Sequence, residues 1–163
     1  KKKSIGNDKL VLMDCDNTHN PNQIITMLRK VEKKDNFVVI ASRFQKGSLV
    51  KNVPFLRNLL SLTAFIIFNI FFMTKGVRDF TSGYRLYDKK TIENFFSIIG
   101  NKYLPAAGFE MQLEILLKLR KTNINFFEIP IILDYKKKPT VSKMNIIKTI
   151  FSYLKLLILR IFD

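Results

Sequence analysis

Two aspartates, Asp14 and Asp16, follow the apolar start of KLVLMDCDNTHNP, residues 9 to 21, with one residue between them. Carboxylates so spaced in a loop after a strand have three uses. They can clamp a divalent ion through hard oxygen ligands, serve as an attacking carboxylate with its acid partner in phosphoryl transfer, or form an ordinary polar loop. Cys15 lies between them and is the chain's single cysteine. It reads as a small apolar filler at a strand end; it can form no internal disulfide, and a reducing cytoplasmic setting is expected. His19 is read as orienting the loop, with a place in the metal shell as the alternative.

The charge balance says what such a loop would meet. The chain carries 28 Lys and Arg against 13 Asp and Glu, a formal charge of +15, so its expected partners are anionic: nucleic acid, phosphorylated substrates or lipid headgroups. Phe occurs 15 times and Trp is absent, and much of the Phe lies in long apolar helical stretches, which favours a membrane surface and no nucleic acid. At 163 residues and 47% apolar, the chain can build one domain with a real core, which excludes a disordered tail.

Buried elements must hold the loop. Residues 9 to 14 read as a strand, Asn20 and Pro21 as cap and first position of a helix through QIITMLRKVEK, and NFVVIAS, 36 to 42, as a second strand. Strand, helix and strand at this spacing make a βαβ unit, which gathers ligands beyond the carboxyl ends of parallel strands, where Asp14, Asp16, Ser42 and Arg43 would lie. The segment 55 to 75 reads as a helix with Arg57, Asn58, Ser61 and Asn69 on one polar stripe. Its uncharged part is shorter than the ~20 residues of a membrane span, so it is expected to lie in an interface or pack on the core. A turn, short strand and helix start in TSGYRLYDKKTIENF, a helix in GFEMQLEILLKLRK and a strand over 124 to 133 follow. The final segment puts Asn145, Lys148, Thr149, Ser152, Lys155, Arg160 and Asp163 on one face and apolar residues elsewhere, the composition of an in-plane membrane helix.

VLMDCDNTHNP resembles the D-x-D segment of family 2 glycosyltransferases of the dolichol-phosphate (polyprenyl-phosphate) mannose synthase type. VVIASRF, RDFTSGYRLYDKKTIE, GFEMQLEILLKLRK, FFEIPIIL and VSKMNIIKTI follow in that family's order. The resemblance implies an α/β fold, the carboxyl-terminal portion of a GT-A fold (Rossmann-like, mostly parallel sheet) with amphipathic membrane-associating helices. Residues 1–143 would be a partial GT-A domain and 144–163 a membrane-interfacial helix. In the family, nucleotide-binding strands precede the D-x-D strand; only eight residues precede it here, so an amino-terminal part is expected to be missing.

What the resemblance implies is a metal-dependent inverting transferase on the cytoplasmic face of a membrane, held peripherally. It would move mannose or glucose from a nucleotide-diphosphate donor to a polyprenyl or dolichyl phosphate. Asp16 and then Asp14 would hold Mg²⁺ or Mn²⁺, with Arg43 and Asp79 as further catalytic residues. Arg57 and Ser61 match an R-x-x-x-S pattern on the acceptor helix and, with Arg85, would face the acceptor phosphate. Gly83, Glu110, Gln112, Lys137 and Lys143 would meet sugar or nucleotide; Lys136 or Lys137 stands where the family has Arg, and Thr140 where it has Gly. Two other readings stay open. Read alone, LVLMDCDNT resembles the first motif of haloacid-dehalogenase-like phosphatases, although no later acidic pair completes that site; the chain could also be a non-catalytic basic membrane-binding fragment.

Overall fold

The structure, a computed structural model, describes residues 8–100, 110–138 and 145–161. Strand β1 (Lys9–Leu12) leads through the aspartate loop to helix α1 (Gln23–Lys30) and strand β2 (Phe37–Ser42). The short β3 (Leu49–Lys51), the long α2 (Phe55–Phe72), β4 (Arg85–Asp88) and α3 (Lys89–Ile99) come next. After them lie α4 (Glu110–Leu119), β5 (Asn125–Pro130), β6 (Ile132–Asp134), a 3₁₀ turn (Tyr135–Lys137) and α5 (Ile146–Ile161).

The four-stranded sheet has the order β1-β4-β2-β5, and a two-stranded ladder pairs β3 with β6. β4 runs antiparallel to both β1 and β2, which therefore point the same way without touching, while β2 and β5 pair in parallel. The expected mostly parallel sheet is corrected to a mixed one. The β1-α1-β2 unit exists, but a strand from later in the chain fills the gap between its strands. Its purpose for the site survives: the loops after β1, β2 and β5 all leave the same edge, and β4 enters there.

β2 is buried along its whole length, so it shows no alternation of polar and apolar residues. Its odd and even side chains serve two cores. Phe37, Val39 and Ala41 pack with Met27 and Val31 around α1, whereas Val38 and Ile40 pack with residues of α2, α3, α4 and α5 on the opposite face. The helix read as starting at Asn20 begins regular α-structure at Gln23. Asn20 and Pro21 form the turn before it, with the Asn20 side chain and carbonyl accepting the N–H groups of Asn22 and Gln23.

The final helix is not a separate unit. Leu156 and Leu157 are buried in the larger core, and Arg160 forms an ion pair with Glu114 of α4, a residue without solvent exposure that Lys118 also approaches at 3.6 Å. Its outer side chains, including Ile147, Phe151 and Ile158, remain exposed.

A cavity between the aspartate loop and helix α2

The loop after β1 folds back on itself. The Asp14 N–H donates to Nδ1 of His19 at 3.1 Å, and the His19 ring, 8% exposed, stacks on Tyr84 with centroids 4.9 Å apart. His19 therefore orients the loop with a nitrogen that cannot at the same time bind a metal. Burial pushes its pKa below the ordinary value, against the pull of Asp14 and Asp16. The Thr18 hydroxyl and N–H both donate to Asp16 Oδ1, at 2.5 and 3.2 Å, while Lys138 Nζ stands 2.7 Å from Oδ2. Partial burial pushes the Asp16 carboxyl up, but the ammonium and the Thr18 donors outweigh it and hold the pKa at about 2.

Arg43 follows β2 directly and is clamped from below. Its Nε donates to Asp79 Oδ2 at 2.8 Å, a terminal nitrogen to Oδ1 at 2.6 Å, and its own N–H to Oδ2 at 2.9 Å. Asp79 is fully buried, and its Oδ1 also accepts the N–H groups of Thr81 and Ser82. Burial alone would raise the Asp79 pKa; the guanidinium reverses this and holds it below the usual carboxylate range. The anchoring arginine is thus displayed by a carboxylate that does not itself reach the surface.

Above these groups opens a cavity of about 940 Å³. Its wall carries the polar side chains Asp14, Asp16, Arg43, Arg57, Ser61 and Lys138 together with Ala64 and Phe68 of α2 and Tyr153 and Leu157 of α5. Of the polar stripe read from helical periodicity, Arg57, Asn58 and Ser61 face this space, whereas Asn69 is not on its wall and donates to the carbonyls of Phe65 at 2.7 Å and Arg78 at 2.8 Å. Ser61 Oγ is buried without a hydrogen-bond partner among the described residues. Such an oxygen costs about 1–3 kcal/mol unless a ligand satisfies it. Tyr153 brings its phenol to the same space, and burial pushes its pKa to about 12.

Other expected residues stand elsewhere. Arg85 is fully buried and donates to the carbonyls of Gln112 at 2.5 Å and Phe80 at 2.7 Å, so it braces the fold and is corrected from a ligand for acceptor phosphate. Gln112 accepts from the Tyr87 hydroxyl at 3.3 Å, and Glu110 and Gln112 are both absent from the cavity wall. Gly83 is on the wall; a Cβ there would meet Asp14 Oδ1 at an ordinary 3.7 Å, so no close backbone approach requires glycine, and its missing side chain leaves room beside Asp14. Lys137 is exposed and offers its carbonyl to Asn17 at 3.4 Å; its neighbour Lys138 is the lysine that reaches in. Lys143, Thr140 and Asp163 lie outside the described residues.

Sequence reading missed Lys138, Tyr135, Tyr153 and Glu128. Lys138 is one of three consecutive lysines, and nothing in the run marks it; only the 3₁₀ turn before it turns its side chain inward. Among the described residues no three His, Cys, Asp or Glu gather into a metal-holding group, so no full protein cage is formed there. Two oxygen-donor side chains at a cavity mouth do suit Mg²⁺ or Mn²⁺, ions commonly held by one or two carboxylates plus substrate phosphates and water.

No known protein-family profile matches the chain. Individual proteins do. The chain is 30% identical over 140 residues to "Polyprenol monophosphomannose synthase" of Mycolicibacterium smegmatis, covering 86% of this chain and 50% of that protein. It is 30% identical over 154 residues to "Dolichol-phosphate mannosyltransferase" of Pyrococcus furiosus, covering 94% and 40%. It is 29% identical over 126 residues to "Undecaprenyl-phosphate mannosyltransferase" of Micrococcus luteus, covering 77% and 49%. The chain thus spans half or less of the length of these curated relatives.

Proposed function

We propose, from the chain's kinship with the polyprenyl- and dolichyl-phosphate mannosyltransferases, that its cavity transfers a sugar from a nucleotide-diphosphate donor to a polyprenyl phosphate. Mannose is the sugar that the relatives' names favour. The observation that carries the reading is the sharing of one cavity by the two-aspartate loop, Arg43 and the Arg57–Ser61 pair of α2. A donor-side acid pair and acceptor-side cations thereby share one wall with apolar side chains of α2 and α5.

Asp16 and Asp14 would hold Mg²⁺ or Mn²⁺, whose charge offsets that of the departing diphosphate. Arg57 and the unsatisfied Ser61 hydroxyl engage the acceptor phosphate, and Arg43, braced by Asp79, fixes the anionic groups between them. The attacking phosphate oxygen is anionic near neutral pH, so no side chain needs to remove a proton. Its lone pair forms the new bond to the anomeric carbon as the bond to the diphosphate oxygen breaks, with inversion. Asp79 contributes to this as a positioning residue through Arg43. The apolar side chains of α2 and α5 on that wall receive the first part of the lipid chain.

The same reading places the chain peripherally on the cytoplasmic face of a membrane. α2 is apolar and long enough to cross a membrane by length and composition, and only 11% of it is buried. What favours an in-plane position over a crossing is that one face of α2 lines the cavity with Arg57, Asn58 and Ser61. An in-plane position lets Phe55, Leu59, Leu62 and Ile66 of α2 and Ile147, Phe151 and Ile158 of α5 meet lipid together.

The test is transfer of radiolabelled sugar from GDP-mannose, with UDP-glucose in parallel, to polyprenyl phosphate with Mg²⁺ or Mn²⁺. Label enters the lipid fraction and is lost in Asp16→Ala; no label in lipid from either donor overturns the reading.

A further inference from the structure

Asp16 is fully engaged by the chain itself. Thr18 takes Oδ1 through two donors, and Lys138 Nζ takes Oδ2 at 2.7 Å, with the lysine side chain 18% and the aspartate 26% exposed. This is unlike a surface pair between two swinging side chains, because the backbone carrying Lys138 is built in place. Asp134 Oδ1 accepts the Lys136 N–H at 3.1 Å and the Asn52 amide at 2.7 Å, and Lys138 N–H closes the turn onto the Tyr135 carbonyl at 3.2 Å. The Asn17 amide reaches the Lys137 carbonyl from the aspartate loop. The Tyr135 ring then stands between two cations, 6.0 Å from Lys138 Nζ and 5.6 Å from the Arg57 guanidinium carbon, and its hydroxyl accepts from Arg57 at 3.2 Å.

An ammonium is a compact point charge, and a divalent ion seeking Asp16 must take the same oxygen from it. Lys138 lies within a few ångströms of any ion at that carboxylate, where repulsion between like charges is large. We infer that Lys138 is an affinity-setting residue that competes with a divalent cation for Asp16, so that the bare ion binds weakly and enters together with an anionic diphosphate. The diphosphate supplies the negative charge that frees the ammonium from the carboxylate. The inference rests on the donor-side reading of Asp14 and Asp16, and its test uses neither sugar transfer nor lipid.

The experiment is Mn²⁺ binding to the full chain without nucleotide, read from the free-ion electron paramagnetic resonance signal. Lys138→Met is expected to bind Mn²⁺ at least about tenfold more tightly than wild type, the scale of removing one like charge at this range. Lys138→Arg keeps the charge and stays weak, and adding Asp16→Asn to Lys138→Met removes the gain. Misfolding cannot imitate this result, because it lowers affinity. Lys138→Met no tighter than wild type, or a gain that persists with Asp16→Asn, overturns the inference. Failure of sugar transfer would overturn the function proposed above and leave this measurement unaffected.

Discussion

Glu128 holds Asp79 by its backbone and leaves its carboxylate free for Arg43. The Glu128 Oε1 accepts the N–H groups of both Arg78 and Asp79 at 2.7 Å, while burial pushes the Glu128 pKa up against these two donors. Two buried carboxylates thus share a corner without sharing a partner. Removing the lower of Arg43's supports should be costly. Asp79→Ala is expected to lower unfolding stability in urea by about 3 kcal/mol, the lower end for breaking a buried ion pair because Arg43 stays 24% exposed. Transfer should fall about 100-fold as the guanidinium loses its aim.

Ser61 should show the opposite sign in stability. Its buried, unpartnered Oγ is a liability to the fold and an asset to a phosphate, so Ser61→Ala is expected to stabilise the chain by about 1 kcal/mol while raising the acceptor KM. Thermal melting and transfer kinetics on one preparation check both halves.

His19 gives the pH dependence. Its folded pKa is depressed below the unfolded value of 6.5, so the stability it contributes is fully present above about pH 6.5 and is lost as pH falls through the folded value. Protonation also ends its acceptance of the Asp14 N–H. His19→Gln should therefore lose less stability than wild type between pH 7 and pH 5, as measured by urea unfolding at each pH.

Gly76 is a turn position that only glycine can fill. Its φ is +83°, and a Cβ there would stand 2.3 Å from the Phe126 carbonyl oxygen, a backbone atom of β5 that cannot swing aside. Gly76→Ala is expected to cost at least about 2 kcal/mol, read as an earlier urea midpoint with an unchanged slope.

Local pattern carried the parts of this molecule that are local. The apolar runs of β1 and β2, the amphipathic α1 and the stripe of Arg57 and Ser61 each follow from spacing within a few residues, and the structure has them. The placement of β4 between β1 and β2 is a pairing across dozens of residues, which no window of sequence contains. β3 and β6, at three residues each, are too short to show a period. Asp79 and Arg85 are placed in the site by the family resemblance alone, and sequence does not show that both are fully buried: Asp79 is satisfied by Arg43 and two backbone N–H groups, whereas Arg85 binds two carbonyls and leaves its Nε without a partner among the described residues. Lys137 and Lys138 are chemically identical, and only the 3₁₀ turn separates the one that faces solvent from the one that meets Asp16.

The interposed β4 also orders events during synthesis. β1 and β2 have no ladder with each other, so the β4 strand that joins them reaches neither until residues 85 to 88 have left the ribosome. α2 precedes them, and its apolar surface emerges while the sheet beneath it is still open. Closure over so long a separation is slow, and until it happens the 18-residue apolar helix lacks the partners that α4, β4 and α5 later bring to the same core. A nascent chain in this state calls for a chaperone or a lipid surface well before its active cavity exists.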